Sequence, residues 1–201
     1  MTYIKAINTL QNRIQSKMSI PKTNSALDSK VKLKIAQLLE KLNNEVYEKQ
    51  EAIALSLLSS IAGESIFLLG APGVAKSLIA RKLKYAFKCG DSFDYLMNRF
   101  STPDEIFGPV SITKLKNEDK YERKVEKYLP ASTVVFLDEI WKAGPSIQNT
   151  LLTVLNEKVF RNGDQEINVP IKALIAASNE LPMKEQGLEA LWDRFLVRLV
   201  V

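Results

Sequence analysis

An α/β fold built on a buried parallel sheet is predicted by three short apolar runs that each finish in polar residues. Residues 66–69 (IFLL) lead into a Gly/Pro-rich turn, residues 133–140 (TVVFLDEI) end in two adjacent acids, and residues 172–178 (KALIAAS) end at Asn179 and Glu180. Runs this uniformly apolar suit strands covered on both faces. Open α/β sheets collect ligands at the carboxyl ends of their strands, so the polar ends mark one expected site.

The first run continues as SIFLLGAPGVAKS over residues 65–77. Gly70 and Gly73 let the backbone turn with its N–H groups facing inward. The helix that opens at Lys76 adds the positive end of its dipole, which makes an anion cradle. The candidate phosphate-binding residues are Gly70, Ala71, Pro72, Gly73, Val74, Ala75, Lys76, Ser77 and Leu78. Lys76 would reach the β- and γ-phosphates of a nucleoside triphosphate and Ser77 would ligate Mg²⁺. The GxxxxGK[ST] pattern carries Gly before the Lys, whereas this chain has Ala75, whose β-carbon sits where backbone approaches phosphate.

At the end of the second run, Asp138 would hold Mg²⁺ through its water shell and Glu139 would polarise the attacking water. Solvated acids at a strand end are the simpler alternative. Asn179 would orient the same water from a neighbouring strand, or serve only as a turn residue.

The remaining elements follow from periodicity. Residues 3–18 place Ile4, Ile7, Leu10, Ile14 and Met18 at mostly helical spacing, and residues 21–25 read as a linker. Helices are expected over residues 28–42 and 46–62. The helix after the phosphate loop sets Arg81, Lys82, Lys84 and Lys88 opposite Leu78, Ile79, Leu83 and Phe87, a solvated face. A further strand is expected over residues 93–99. Two β-hairpin insertions are predicted: residues 110–115 with 121–125 around a charged tip, and a second turning at Asn162-Gly163 between Val159-Phe160 and Ile167–Val169. Between them, residues 145–157 read as a helix with Pro145 at its start and Ile147, Leu151, Val154 and Leu155 on one face.

Composition excludes several chemistries. The chain has 201 residues, 46% of them hydrophobic, one Cys (Cys89) and no His. No internal disulfide, no His-bearing zinc site and no Ser-His-Asp or Cys-His nucleophile can be built from it. The lone thiol is read as structural. No apolar stretch is long enough to span a bilayer and no signal-peptide core opens the chain, so a cytoplasmic protein without membrane insertion is expected. The net charge of +5, from 28 basic and 23 acidic residues, comes without a basic stripe of interleaved aromatics, which argues against nucleic acid as a partner. No NKxD or TKxD segment for reading guanine occurs.

GAPGVAKS followed by LIARKLK, then RFSTPDEIFGPVSI, VVFLDEIWKAGPS, FRNG, AASNELP and LWDRF resembles the MoxR branch of the AAA+ ATPases, and within it the RavA-type regulatory ATPases. The resemblance covers about residues 45–201, and the RavA-type group shares the Ala75 departure. It implies a P-loop sandwich with a five-stranded parallel sheet of order 5-1-4-3-2. It also implies ATP hydrolysis with Mg²⁺, and self-association into a ring, usually a hexamer. The implied work is chaperone-like remodelling or maturation of partner proteins, in some cases beside a VWA-domain partner. By the same resemblance, Lys76 and Ser77 belong to Walker A and Asp138 and Glu139 to Walker B. Asn179 would be the sensor, and Tyr47 and Ile53 would lie against the adenine. Arg194 stands where such proteins carry an arginine finger that reaches a neighbour's γ-phosphate, with Arg198 a competitor. A surface ion pair of Arg194 with Asp193 or Glu189 is the alternative. The expected organisation is an arm over residues 1–27 and an AAA+ core over residues 28–201, with the helical lid of such ATPases absent or truncated. A nucleotide-binding module without turnover is the alternative function.

Overall fold

The computed structural model describes residues 25–88, 90–182 and 188–201. The expected arm helix over residues 3–18 and Cys89 lie outside the described residues. The chain divides into two compact units, one reaching Gln50 and the other spanning Glu51–Val201.

In the first unit, helix α1 (Ser25–Leu42) is followed by Asn43, whose backbone N–H and side-chain amide both donate to the Leu39 carbonyl, at 3.0 and 2.7 Å, and so tie down the last turn.

The second unit is organised by five parallel strands: β1 (Ile66–Leu69), β2 (Ser92–Leu96), β3 (Val134–Asp138), β6 (Ala173–Ser178) and β7 (Val197–Val200). They lie in the order β2-β3-β6-β1-β7, which is the expected 5-1-4-3-2 arrangement read from the other edge. The fifth strand, β7, is one that periodicity assigns to no segment. Burial confirms the reading of the apolar runs: all six residues of β6 and the first four of β3 are buried. Strand register brings the carboxyl ends into line, pairing Leu69 with Ser178 and Val200, and Leu96 with Asp138.

Helix α2 (Gln50–Ala62) precedes β1 and α3 (Lys76–Lys84) follows it. The helix expected from residue 46 starts later because Glu45 and Glu48 both take left-handed backbone, at φ 63° and 57°, which a helix cannot continue through. After β2, α4 (Pro103–Phe107) opens with a capping box in which the Thr102 side chain meets the N3 backbone and the Glu105 carboxylate accepts from Thr102 N. Helix α6 (Pro145–Glu157) has the predicted bounds and buries Ile147, Leu151 and Val154.

The first insertion differs from the predicted hairpin. Its centre is a short helix, α5 (Ile112–Glu118), and its two ends meet in one antiparallel bridge, Val110 to Arg123. The run ITKLKNE is rich in helix formers, and Ser111 caps it by accepting from Lys114 N. The second insertion is a hairpin, β4 (Val159–Asn162) against β5 (Gln165–Asn168). Its two-residue loop is Gly163-Asp164 rather than Asn162-Gly163, with φ +63° at Gly163. A Cβ at Gly163 would collide with the Tyr121 carbonyl, so this glycine is required both by the turn and by the neighbouring insertion.

Candidate functional site

The loop from Gly70 to Ala75 leaves the end of β1 and delivers Lys76 and Ser77 to the first turn of α3. Gly73 has φ +87°, and a Cβ there would meet nothing, so its role is conformational. Ala75 is the N-cap of α3 with φ 68° and ψ 23°, the left-handed backbone for which the motif ordinarily supplies glycine. The sequence departure is thus accommodated by strain at one residue instead of by a different loop. Lys76 is 6% exposed, and its ammonium donates to the carbonyls of Gly70 at 2.6 Å and Ala71 at 3.1 Å. A buried cation held by two neutral acceptors is prepared to exchange them for phosphate oxygens.

Pro72, Gly73, Val74, Ala75, Lys76 and Ser77 line a cleft of ≈ 380 Å³ together with Leu96, Asp138 and Glu139. Asp138 closes β3, and its Oδ1 accepts from Glu139 N at 3.0 Å. Glu139 has φ 52° and begins the 3₁₀ turn Ile140–Lys142. Its Oε2 receives Lys142 Nζ at 3.2 Å and the Ser178 hydroxyl at 3.3 Å. The Ser77 hydroxyl and the Asp138 carboxylate in one cleft are the hard oxygen donors that suit Mg²⁺, an ion that keeps several waters and needs few protein ligands beside phosphate. No group of three or more His, Cys, Asp or Glu side chains able to hold a metal occurs among the described residues, so an all-protein metal cage is not formed there.

The other sequence-predicted residues fall differently. Leu78 is partly exposed on α3. Asn179 follows β6 and is exposed, while Ser178 before it carries the contact to Glu139. Ile53 is 1% exposed within α2, as core packing requires, and Tyr47 is 88% exposed. Arg194 sits at the C-cap of α7 (Glu189–Asp193) and is exposed; its backbone N–H donates to the Leu191 carbonyl at 3.3 Å, while its guanidinium makes no hydrogen bond or ion pair among the described residues. Arg198 is instead tied down: Nε donates to the Phe195 carbonyl at 2.8 Å, Nη2 to the Trp192 carbonyl at 2.9 Å, and its guanidinium lies 4.0 Å from the Trp192 ring centroid. Asp193 faces Arg198 at 3.9 Å, and the alternative reading, an ion pair of Arg194 with Asp193 or Glu189, has no counterpart among the described residues. The segment carrying Arg194 is anchored by aromatic packing, with Phe67 on β1 touching Trp141, Trp192 and Phe195.

Sequence reasoning missed Lys142, Ser178 and Leu96. Ser178 ends an apolar strand, a faint signal. Lys142 stands three residues after Glu139, a spacing that brings side chains together only once a 3₁₀ turn is known.

A parallel sheet of this order with a phosphate loop after β1 and paired acids after β3 defines a P-loop ATPase core of the AAA+ type. Residues 33–201 match the family described as the MoxR domain in the MoxR-vWA-beta-propeller ternary systems, and the chain belongs to the MoxR family of AAA+ ATPases. An uncharacterized protein of Methanocaldococcus jannaschii is 44% identical over 173 residues, covering 86% of this chain and 45% of the relative. Chaperone MoxR1 of Mycobacterium tuberculosis is 26% identical over 157 residues, covering 76% of this chain and 40% of the relative. Among solved structures, a protein of Cytophaga hutchinsonii assigned as an ATPase superposes with a TM-score of 0.67 at 22% identity, over 89% of this chain and 55% of its own; that likeness shows the fold. The chain spans less than half the length of these curated relatives. No described helix is long and apolar enough to cross a membrane.

Proposed function

We propose that this chain binds ATP with Mg²⁺ and hydrolyses it to ADP and phosphate. The observation that carries the reading is the convergence of Lys76, Ser77, Asp138 and Glu139 on one cleft below the phosphate loop. Lys76 would leave the Gly70 and Ala71 carbonyls for the β- and γ-phosphates, and Glu139 would take the hydrogen bond of the attacking water. Ser77 and Asp138 would hold Mg²⁺, which when bound neutralises charge on the transferring phosphoryl group. Asn179 would orient the water from the end of β6. Arg194 is the better candidate than Arg198 for a finger acting on a neighbouring subunit, because its guanidinium is unengaged among the described residues while Arg198 holds two carbonyls.

Action in trans requires a neighbouring subunit, and a ring, a hexamer, is the assembly we propose. The work coupled to hydrolysis would be chaperone-like remodelling or maturation of a protein client in the cytoplasm. The family description, which places MoxR domains with vWA and β-propeller proteins, supports a VWA-domain partner. A finer kinship with the RavA-type ATPases rests on Ala75, the departure that group shares.

The test is ATP hydrolysis per chain as a function of protein concentration, with Glu139→Gln and Arg194→Ala alongside. Specific activity should rise with concentration and fall about 10²-fold in Glu139→Gln, a typical loss for a positioned acid–base group. Background turnover at every concentration would instead favour a nucleotide-binding module without hydrolysis.

A further inference from the structure

The Glu139 carboxylate is held by one oxygen only. Lys142 Nζ and the Ser178 hydroxyl both contact Oε2, while Oε1 has no partner among the described residues. The two holders come from different elements, Ser178 held at its side chain and Lys142 at its backbone. Ser178 is fully buried at the last position of β6, and its hydroxyl also accepts from Glu180 N at 3.2 Å. Lys142 closes the 3₁₀ turn, its N–H donating to the Glu139 carbonyl at 2.9 Å, and the neighbouring Trp141 is packed against Phe67 and Phe195. Glu139 begins that turn in left-handed backbone, an uncommon state for Glu, so the direction in which its side chain leaves is set by the turn.

A water-activating carboxylate works only while one lone pair stays directed at the water, and small misplacements are costly in rate. From this geometry we infer that Lys142 and Ser178 are positioning residues that clamp Oε2 and thereby present Oε1 to the attacking water. The inference rests on Glu139 being the water activator.

It is tested in the full-length assembled protein by measuring kcat and KM for ATP in Lys142→Met, Lys142→Arg, Ser178→Ala, Glu139→Gln and Lys142→Met/Glu139→Gln, with the Kd of a fluorescent ADP analogue as a readout apart from turnover. Lys142→Met should lower kcat about tenfold with KM and the ADP-analogue Kd unchanged within about twofold, since the contact acts on orientation and not on binding. Lys142→Arg should restore most of the loss, and Ser178→Ala, losing one neutral hydroxyl contact, should lower kcat about threefold. In the Glu139→Gln background, Lys142→Met should add no further loss. Wild-type kcat in Lys142→Met, or an equal loss in both backgrounds, overturns the inference and leaves Glu139's role standing. Wild-type turnover in Glu139→Gln overturns the assignment of Glu139 itself, and this inference with it.

Discussion

Asn162→Ala should release the two insertions from one another. The bridge between Val110 and Arg123 is flanked by Ser111 N to Glu122 O at 2.7 Å and Lys124 N to Pro109 O at 2.8 Å. The N–H and C=O of Arg123 itself therefore point away from Val110. Both are taken by the buried Asn162 side chain: Oδ1 accepts from Arg123 N at 2.6 Å and Nδ2 donates to Arg123 O at 3.1 Å. Alanine leaves two backbone groups without partners. At roughly 1–3 kcal/mol for each unsatisfied group, and less where water reaches the edge, the loss should be about 2–4 kcal/mol. Asn162→Asp should also destabilise, because a carboxylate replaces the donor that faces Arg123 O with another acceptor. Urea denaturation gives the energy, and hydrogen exchange at the Arg123 amide gives its location. Stability within about 0.5 kcal/mol of wild type, the usual range of a surface substitution, with the Arg123 amide still protected would refute the reasoning.

Two further outcomes follow from backbone strain and burial. Ala75→Gly should raise stability by about 1 kcal/mol, the cost of a β-carbon in left-handed backbone less the extra freedom glycine has when unfolded. For a unit of this size that is about 2–4 °C in Tm by thermal denaturation, and an unchanged or lower Tm would show that the loop is not strained at Ala75. Burial pushes the Lys158 ammonium below its ordinary value of 10.5, against the opposing pull of Glu64. The folded chain then binds fewer protons at this site than the unfolded chain as pH falls below 10.5, so the group opposes folding at neutral pH, and that opposition fades as pH rises through its lowered value to 10.5. Lys158→Met should therefore shift the urea midpoint upward at pH 7, with the difference narrowing toward pH 10.5; a pH-independent difference would assign the effect to packing.

Much of the fold was legible in the sequence because its signals are local. The apolar runs of β1, β3 and β6 had to be buried on both faces, and Pro145 with the 3.6-residue spacing of Ile147, Leu151 and Val154 fixed α6 to the residue. The loop residues Gly73, Lys76 and Ser77 and the acids Asp138 and Glu139 announced themselves by type and by position at strand ends. The hairpin expected over residues 110–115 and 121–125 rests on strand-like residues in both runs, whereas the Ser111 cap and the helix formers after it decide the local structure. Asn-Gly is a turn signal, which assigns Asn162 to the turn. Its amide is used instead on Arg123, 39 residues away in sequence.

Residue type and near neighbours are enough to mark which side chains can carry charge to a phosphate, because that depends on local chemistry at the strand ends. Tertiary structure alone decided which of two arginines is left unengaged, because Arg198 is bound by carbonyls that only the packing of Trp192 and Phe195 brings within reach. It also decided that Ser178 and Lys142 share one oxygen of Glu139, a contact made by a neighbouring strand and a left-handed turn that neither periodicity nor composition encodes.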